Sequence, residues 1–103
     1  MPARDPLSDD QIESALADLG GWGAEADEDG NRIVRDFTFA DFREAFAFLT
    51  RVAFVADGMD HHPEIANVYD HVSLALSTHD AGNRVTETDL AFARRVNAFA
   101  PAD

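Results

Sequence analysis

The sequence predicts an α+β domain, a four-stranded antiparallel sheet with helices packed on one face, in the order α-β-β-α-β-β-α. Three observations lead there. Apolar residues recur at helical spacing in three segments, each opened by Ser, Asp or Thr with Gln, Glu or Asp three positions later. Between these segments lie alternating apolar and polar runs, grouped in two pairs. The connection within each pair is short, which makes the strands antiparallel and leaves the helices to cover one face. At 103 residues the chain suffices for one such domain and not for a second.

The elements follow in order. Residues 1–7, with Pro2 and Pro6, read as a flexible lead-in to a single domain over 8–101. Ser8-Asp9-Asp10-Gln11 is a capping box with acids where the helix dipole favours them. Ile12, Ala15, Leu16 and Leu19 continue that helix until Gly20-Gly21 stops it. Trp22 to Ala26 and Arg32 to Phe39 form a hairpin around the acidic connection Asp27 to Asn31. In its second strand Ile33, Phe37 and Phe39 share one face, and Val34, Asp36 and Thr38 the other.

Asp41 and Glu44 open the second helix, expected to end by Gly58. Phe42, Phe46, Leu49, Ala53 and Ala56 make one stripe, widened by Phe48, Val52 and Val55. So broad an apolar face suits either a second subunit or deep burial within one domain, and periodicity leaves both open. Ile65 to Tyr69 and His71 to Thr78 are the last two strands. In the latter, Val72, Leu74 and Leu76 face one way, and His71, Ser73, Ala75, Ser77 and His79 the other. After a loop over Asp80 to Val85, Thr86-x-x-Asp89 caps a final helix through Leu90, Ala93, Val96 and Phe99, ending near Pro101.

Composition narrows the function classes. Twenty acids against eight arginines, with no lysine, give a net charge of -12, which repels phosphate backbones and argues against direct nucleic-acid binding. Cysteine is absent, so thiolate chemistry and disulfides are excluded. No apolar stretch reads as a signal peptide or a membrane span, and a soluble cytoplasmic protein is expected.

All four histidines lie between Asp57 and His79. His71 and His79 share a face of the expected strand, but eight residues of regular strand separate them by about 26 Å. His71 is therefore read as solvent-facing, and His79, at the strand end beside a glycine loop, as a site residue. His62 precedes Pro63 and is biased toward extended backbone, which leaves open whether His61 and His62 face one ligand.

Three chemistries compete, beside the bland reading that loop histidines only cap backbone groups. A metal site would use His61, His62 and His79 with Asp57 or Asp60, but adjacent histidines are an awkward ligand pair and no H-E-x-x-H helix is present. Nucleophilic hydrolysis lacks a G-x-S-x-G elbow. General acid–base catalysis by imidazoles, near neutral pH and without a metal, fits the residue types best.

These residues carry a resemblance. Asp57-x-x-x-His61-His62-Pro63-Glu64, Asn67-Val68-Tyr69, Leu76-Ser77-Thr78-His79 and Asp89 resemble the signature of the pterin-4a-carbinolamine dehydratase family, whose mammalian members are also dimerisation cofactors of a homeodomain transcription factor. Phe37-x-Phe39-x-Asp41-Phe42-x-x-Ala45-Phe46-x-Phe48-x-x-Arg51-Val52-Ala53 and Gly21-Trp22 are similar too, so the likeness runs from about Leu7 to Phe99. It implies the same element order, assembled as a homodimer or homotetramer. It implies dehydration of 4a-hydroxytetrahydropterin to quinonoid dihydropterin, which recycles the pterin of aromatic amino acid hydroxylases. The pterin is then a substrate and no cofactor is expected; a pterin-dependent hydroxylase is the functional partner.

By position, His61, His62 and His79 match the family's catalytic histidines, while Asp57, Asp60 and Asp89 are the expected substrate-binding carboxylates. Asp89 also reads as a capping-box partner for Thr86, and the two roles are compatible. Ile65 departs from the pattern, because well-known members have tryptophan there. The family also has branches thought to act in assembly, including relatives linked to Rubisco accumulation. A non-catalytic interaction module is accordingly the alternative.

Overall fold

The structure, a computed structural model, describes residues 4–101. Helix α1 (Asp9–Leu16) is followed by strands β1 (Gly23–Asp27) and β2 (Gly30–Thr38), and then by the long helix α2 (Phe42–Met59). Strands β3 (Glu64–Val68) and β4 (His71–Leu76) follow, then a single 3-10 turn at His79–Ala81 and helix α3 (Glu87–Asn97). The four strands form one antiparallel sheet in the order β1-β2-β4-β3. The expected architecture is the observed one.

Local chemistry explains the boundaries. Ser8 and Gln11 exchange both legs of their capping box, at 3.1 and 2.8 Å. The β1–β2 connection is tighter than expected: Asp27 pairs with Gly30, leaving only Glu28 and Asp29 as the loop. There Asp27 Oδ1 accepts the Asp29 N–H at 2.9 Å, and Gly30 adopts φ 149°, where a Cβ would collide with the Asn83 carbonyl. Helix α2 passes through Gly58, where it was expected to stop, and ends at Asp60 in the left-handed conformation (φ 50°). A helical glycine costs about 1 kcal/mol relative to alanine, and the partly buried Met59 beyond it packs against the core.

The inward face of the sheet carries Ile33, Phe37, Val72, Leu74 and Leu76, all buried under α2 and α3. On α2 the buried stripe is Ala45, Phe48, Val52, Val55 and Ala56. Of the expected stripe, Ala56 belongs to the core and Leu49 packs against it, whereas Phe42 and Phe46 remain 46% and 56% exposed, with ring centroids 5.6 Å apart. Arg35 also occupies the inward face, between Ile33 and Phe37. Its guanidinium lies 4.6 Å from the Phe37 ring centroid and donates to Asn97 Oδ1 at 2.6 Å and to the Gly20 carbonyl at 3.2 Å. Asn97 Oδ1 also accepts the Trp22 indole N–H at 2.8 Å, so one amide joins α3 to the start of β1.

Strand β4 ends at Leu76, two residues short of the expected limit. Beyond it Thr78 turns to its own loop: its N–H donates to the Arg84 carbonyl at 2.9 Å, and its carbonyl accepts from Asn83 at 3.1 Å. That turn takes His79 off the strand, so it does not share a strand face with His71 as expected. Leu7, the end of the expected lead-in, donates to the Val85 carbonyl at 2.9 Å and packs on the core; residues 1–3 lie outside the described residues.

Candidate functional site

Three chain ends converge: the C-terminus of α2, the exit from β4 and the N-terminus of α3. The left-handed Asp60 reverses the chain after α2, and the His61 N–H returns to the Ala56 carbonyl at 3.0 Å. This folds the His61 ring inward until the residue is 5% exposed, with its ring centroid 6.1 Å from that of Phe92 in an edge-on arrangement. At the centre lies Asp89, 0% exposed, whose Oδ1 sits 2.5 Å from His61 Nε2.

A buried carboxylate must be compensated by hydrogen bonds or opposite charge. Asp89 has four sources of compensation. Its Oδ2 accepts the Thr86 N–H at 2.9 Å and the Thr78 hydroxyl at 2.8 Å. The Thr86 hydroxyl lies 2.7 Å from that of Thr78; because Thr78 donates to the carboxylate, Thr86 donates to Thr78. The position in the first turn of α3 adds the positive end of the helix dipole. The fourth is His61. The cap and the histidine partner are thus one residue using two oxygens: Oδ2 caps the helix and Oδ1 holds the imidazole.

This arrangement determines the His61 tautomer. An ionised Asp89 can only accept, so His61 Nε2 carries the hydrogen and the lone pair resides on Nδ1. Among the described residues, nothing hydrogen-bonds to His61 Nδ1. The pair therefore presents one basic nitrogen, backed by a carboxylate that stabilises the imidazolium formed when it takes a proton.

The other expected residues lie on the segments that lead into and out of this pair. His62 is exposed beside His61. Asp57, exposed on the last turn of α2, accepts the Asp60 N–H on its carbonyl at 3.3 Å, and Asp60 is itself exposed. His79 begins the 3-10 turn, directly after the Thr78 that touches Asp89, and its Nδ1 lies 3.2 Å from Asn83 Oδ1. His71 is not part of the group. It lies on the solvent face of the sheet, where Nε2 is 3.4 Å from Ser73 Oγ. Ile65, at the sheet edge opposite Leu74, is 47% exposed. Among the described residues, no group of three or more His, Cys, Asp or Glu is arranged to hold a metal ion.

Sequence reasoning missed Thr78, Thr86 as a side-chain partner, and Asn83. Thr86 was visible as a helix cap, but only the fold turns its hydroxyl to Thr78. The one cue for Thr78 was its place before His79 at a strand end.

Comparison with known proteins identifies the family. The family model described as pterin 4 alpha carbinolamine dehydratase matches residues 5–99. A Mesorhizobium japonicum protein that bears the name pterin-4-alpha-carbinolamine dehydratase as a provisional assignment is 51% identical over 96 residues, covering 93% of this chain and 95% of the relative. A Bradyrhizobium relative under the same provisional name is 52% identical, covering 93% of each chain. Among solved structures, a transcriptional coactivator/pterin dehydratase from Brucella melitensis superposes with TM-score 0.85 at 40% identity, covering 94% of this chain and 100% of its own. A pterin dehydratase-like RuBisCO assembly factor of the alpha-carboxysome superposes less closely, with TM-score 0.65 at 25% identity, covering 81% of this chain and 93% of its own. With nearly its whole length matched by the family model and by relatives about half identical to it, the chain belongs to the pterin 4 alpha carbinolamine dehydratase family.

Proposed function

We propose that the protein dehydrates 4a-hydroxytetrahydropterin to quinonoid dihydropterin, with imidazole side chains as the acid and the base and the pterin as substrate. The observation that carries this reading is the buried His61–Asp89 pair, which fixes one imidazole in a single tautomer. In the elimination, a ring nitrogen gives up its proton to a neutral imidazole, and an imidazolium gives its proton to the 4a-hydroxyl. The carbon–oxygen bond breaks, a carbon–nitrogen double bond forms, and water leaves. His61 and His79 exchange these protons, each step being worth about 10²–10⁴ in rate. His62, exposed beside them, orients the flat heterocycle, and Asp57 and Asp60 offer acceptors to its N–H edge.

On this reading the enzyme works in the cytoplasm as a homodimer or homotetramer, and a pterin-dependent hydroxylase supplies its substrate. The exposed Phe42 and Phe46 on α2 support self-association, since apolar rings in contact with water gain from burial. The same surface favours the second reading, a non-catalytic assembly module, to which the carboxysomal likeness also points.

A rate assay on freshly generated 4a-hydroxytetrahydropterin separates them. Acceleration by the protein that falls at least 100-fold in His79→Ala and several-fold in His62→Ala is the expected result. No acceleration, or equal activity in both variants, would discard the enzyme in favour of the assembly module.

A further inference from the structure

We infer that Asn83 is a positioning residue for His79, holding its ring as the Nδ1–H tautomer so that Nε2 faces outward as the proton-exchanging atom. This deepens the dehydratase reading, on which its kinetic consequences rest; the tautomer itself can be tested without any substrate.

Two hydrogen bonds hold the Asn83 backbone in a left-handed turn. Its N–H donates to the Thr78 carbonyl at 3.1 Å, its carbonyl accepts the Asn31 N–H at 2.9 Å, and its φ of 61° is one asparagine tolerates better than most side chains. Asn31 extends the clamp: it is buried and its Oδ1 accepts the Val85 N–H at 2.7 Å. Gly30 makes this approach possible, since a side chain there would strike the Asn83 carbonyl. The β1–β2 hairpin therefore secures the loop behind His79. From that base the Asn83 amide oxygen faces His79 Nδ1 at 3.2 Å. An amide oxygen only accepts, so Nδ1 is the donor.

Of the two polar neighbours of His79 along the chain, Thr78 is engaged with Asp89 and Asp80 lies 3.8 Å from Arg4. The two histidines thus receive opposite tautomers. A carboxylate holds His61 at Nε2, and a neutral amide holds His79 at Nδ1. The neutral partner matters because it selects a tautomer without adding a charge that would stabilise the imidazolium.

Two substitutions suit the left-handed backbone. Asn83→Gly keeps that conformation and removes the amide; Asn83→Asp keeps an acceptor and adds a charge. Long-range ¹H–¹⁵N correlation of the histidine rings reads the tautomer directly. His79 is expected as Nδ1–H in the parent, as a mixture in Asn83→Gly, and as Nδ1–H again in Asn83→Asp with its titration moved to higher pH. In kinetics, Asn83→Gly is expected to lower kcat about tenfold with KM nearly constant, a fraction of the full acid–base contribution. Asn83→Asp should restore most of that loss and move one limb of the pH profile upward.

An Nε2–H tautomer in the parent, or one unchanged by Asn83→Gly, overturns the inference whatever the activity. Equal kcat in the parent and Asn83→Gly overturns it as well. A parent with no dehydratase activity but with the expected tautomers would sink the functional reading and leave the role of Asn83 standing.

Discussion

Among the described residues, a histidine, a hydroxyl and a carboxylate meet in two groups that differ in almost every physical respect. On the solvent face of the sheet, Asp36 and Ser73 are cross-strand partners on β2 and β4. The Ser73 hydroxyl donates to Asp36 at 2.7 Å, and His71 Nε2 approaches Ser73 at 3.4 Å. At the converging ends of α2, β4 and α3, His61, Asp89, Thr78 and Thr86 form a group with the same imidazole, hydroxyl and carboxylate chemistry that is nearly closed to water. In the first group the serine separates histidine from carboxylate, and water can replace each contact at little cost. In the second the carboxylate touches the imidazole directly, and each donor has an acceptor that water cannot supply. The difference teaches that residue types do not make a site: burial makes each hydrogen bond consequential, because leaving it unmade then costs free energy.

The strongest way to break this contrast is to remove both carboxylates in turn. Asp89→Ala strands three donors, the Thr86 N–H, the Thr78 hydroxyl and His61 Nε2–H, in a site closed to solvent. Deleting one member of such a buried group costs about 3–5 kcal/mol, a large part of the 5–15 kcal/mol typical of a domain. Urea denaturation should show a loss of that order. Asp36→Ala should stay within about 0.5 kcal/mol of the parent, as surface substitutions do. Equal losses in the two variants would remove the distinction.

A finer cut takes only a hydroxyl. Thr78→Val keeps the shape but deprives Asp89 Oδ2 of one donor and the Thr86 hydroxyl of its acceptor. The expected cost is about 1–3 kcal/mol, with Thr78→Ser recovering most of it. Ser73→Ala, the matching change on the open face, should be nearly silent in the same denaturation experiment.

The contrast also marks what the sequence could and could not reveal. Strand pairing and helix order were legible because they depend on local periodicity and caps: the Ser8–Gln11 box forms as its spacing implies. Asp89 was legible as a capping-box partner and as a site carboxylate, but not as the residue that meets His61 with one oxygen while it caps α3 with the other. His79 was selected for its place at a strand end, but that strand ends early because Thr78 pairs with Arg84 across its own loop, a choice no alternation pattern records. The orientation of α2 was left open because that helix is apolar over more of its circumference than one core needs. Only the packed sheet decides that Phe48 and Val52 face inward while Phe46 does not. Arg35 was illegible for the opposite reason: a charge in the inward register belongs there only because Asn97 and the Phe37 ring, distant in sequence or shape from any usual partner, receive it.

Removing the histidines tests the contrast on activity. His71→Ala should leave kcat within about twofold of the parent, because the ring lies on the far face of the sheet from Asp89. His79→Ala should lower it by the 10²-fold or more typical of a proton-transfer group. A His71→Ala enzyme as impaired as His79→Ala would show that the open face takes part in catalysis.

The smallest effect concerns an exposed pair that does form a strong hydrogen bond. Arg32 donates to Asp27 Oδ2 at 2.8 Å, with Glu25 farther away at 3.7 Å from the same guanidinium. The bond from Arg32, and after it the Asp29 N–H, hold the Asp27 carboxyl below its ordinary value of 3.8. A carboxyl whose folded pKa is depressed stabilises the fold fully above the unfolded value and loses that contribution as pH falls through the lower, folded one. The effect is therefore confined to pH below about 4. Because Asp27 is exposed and Arg32 partly so, salt should screen the pair. Acid unfolding of Asp27→Asn against the parent should reveal a small difference at low ionic strength that vanishes at high. A difference that persists at high salt, or one that extends to neutral pH, would mean that geometry at the tight Asp27–Gly30 turn matters more than charge. In that case exposure alone does not separate the contacts that stabilise this fold from those that merely decorate it.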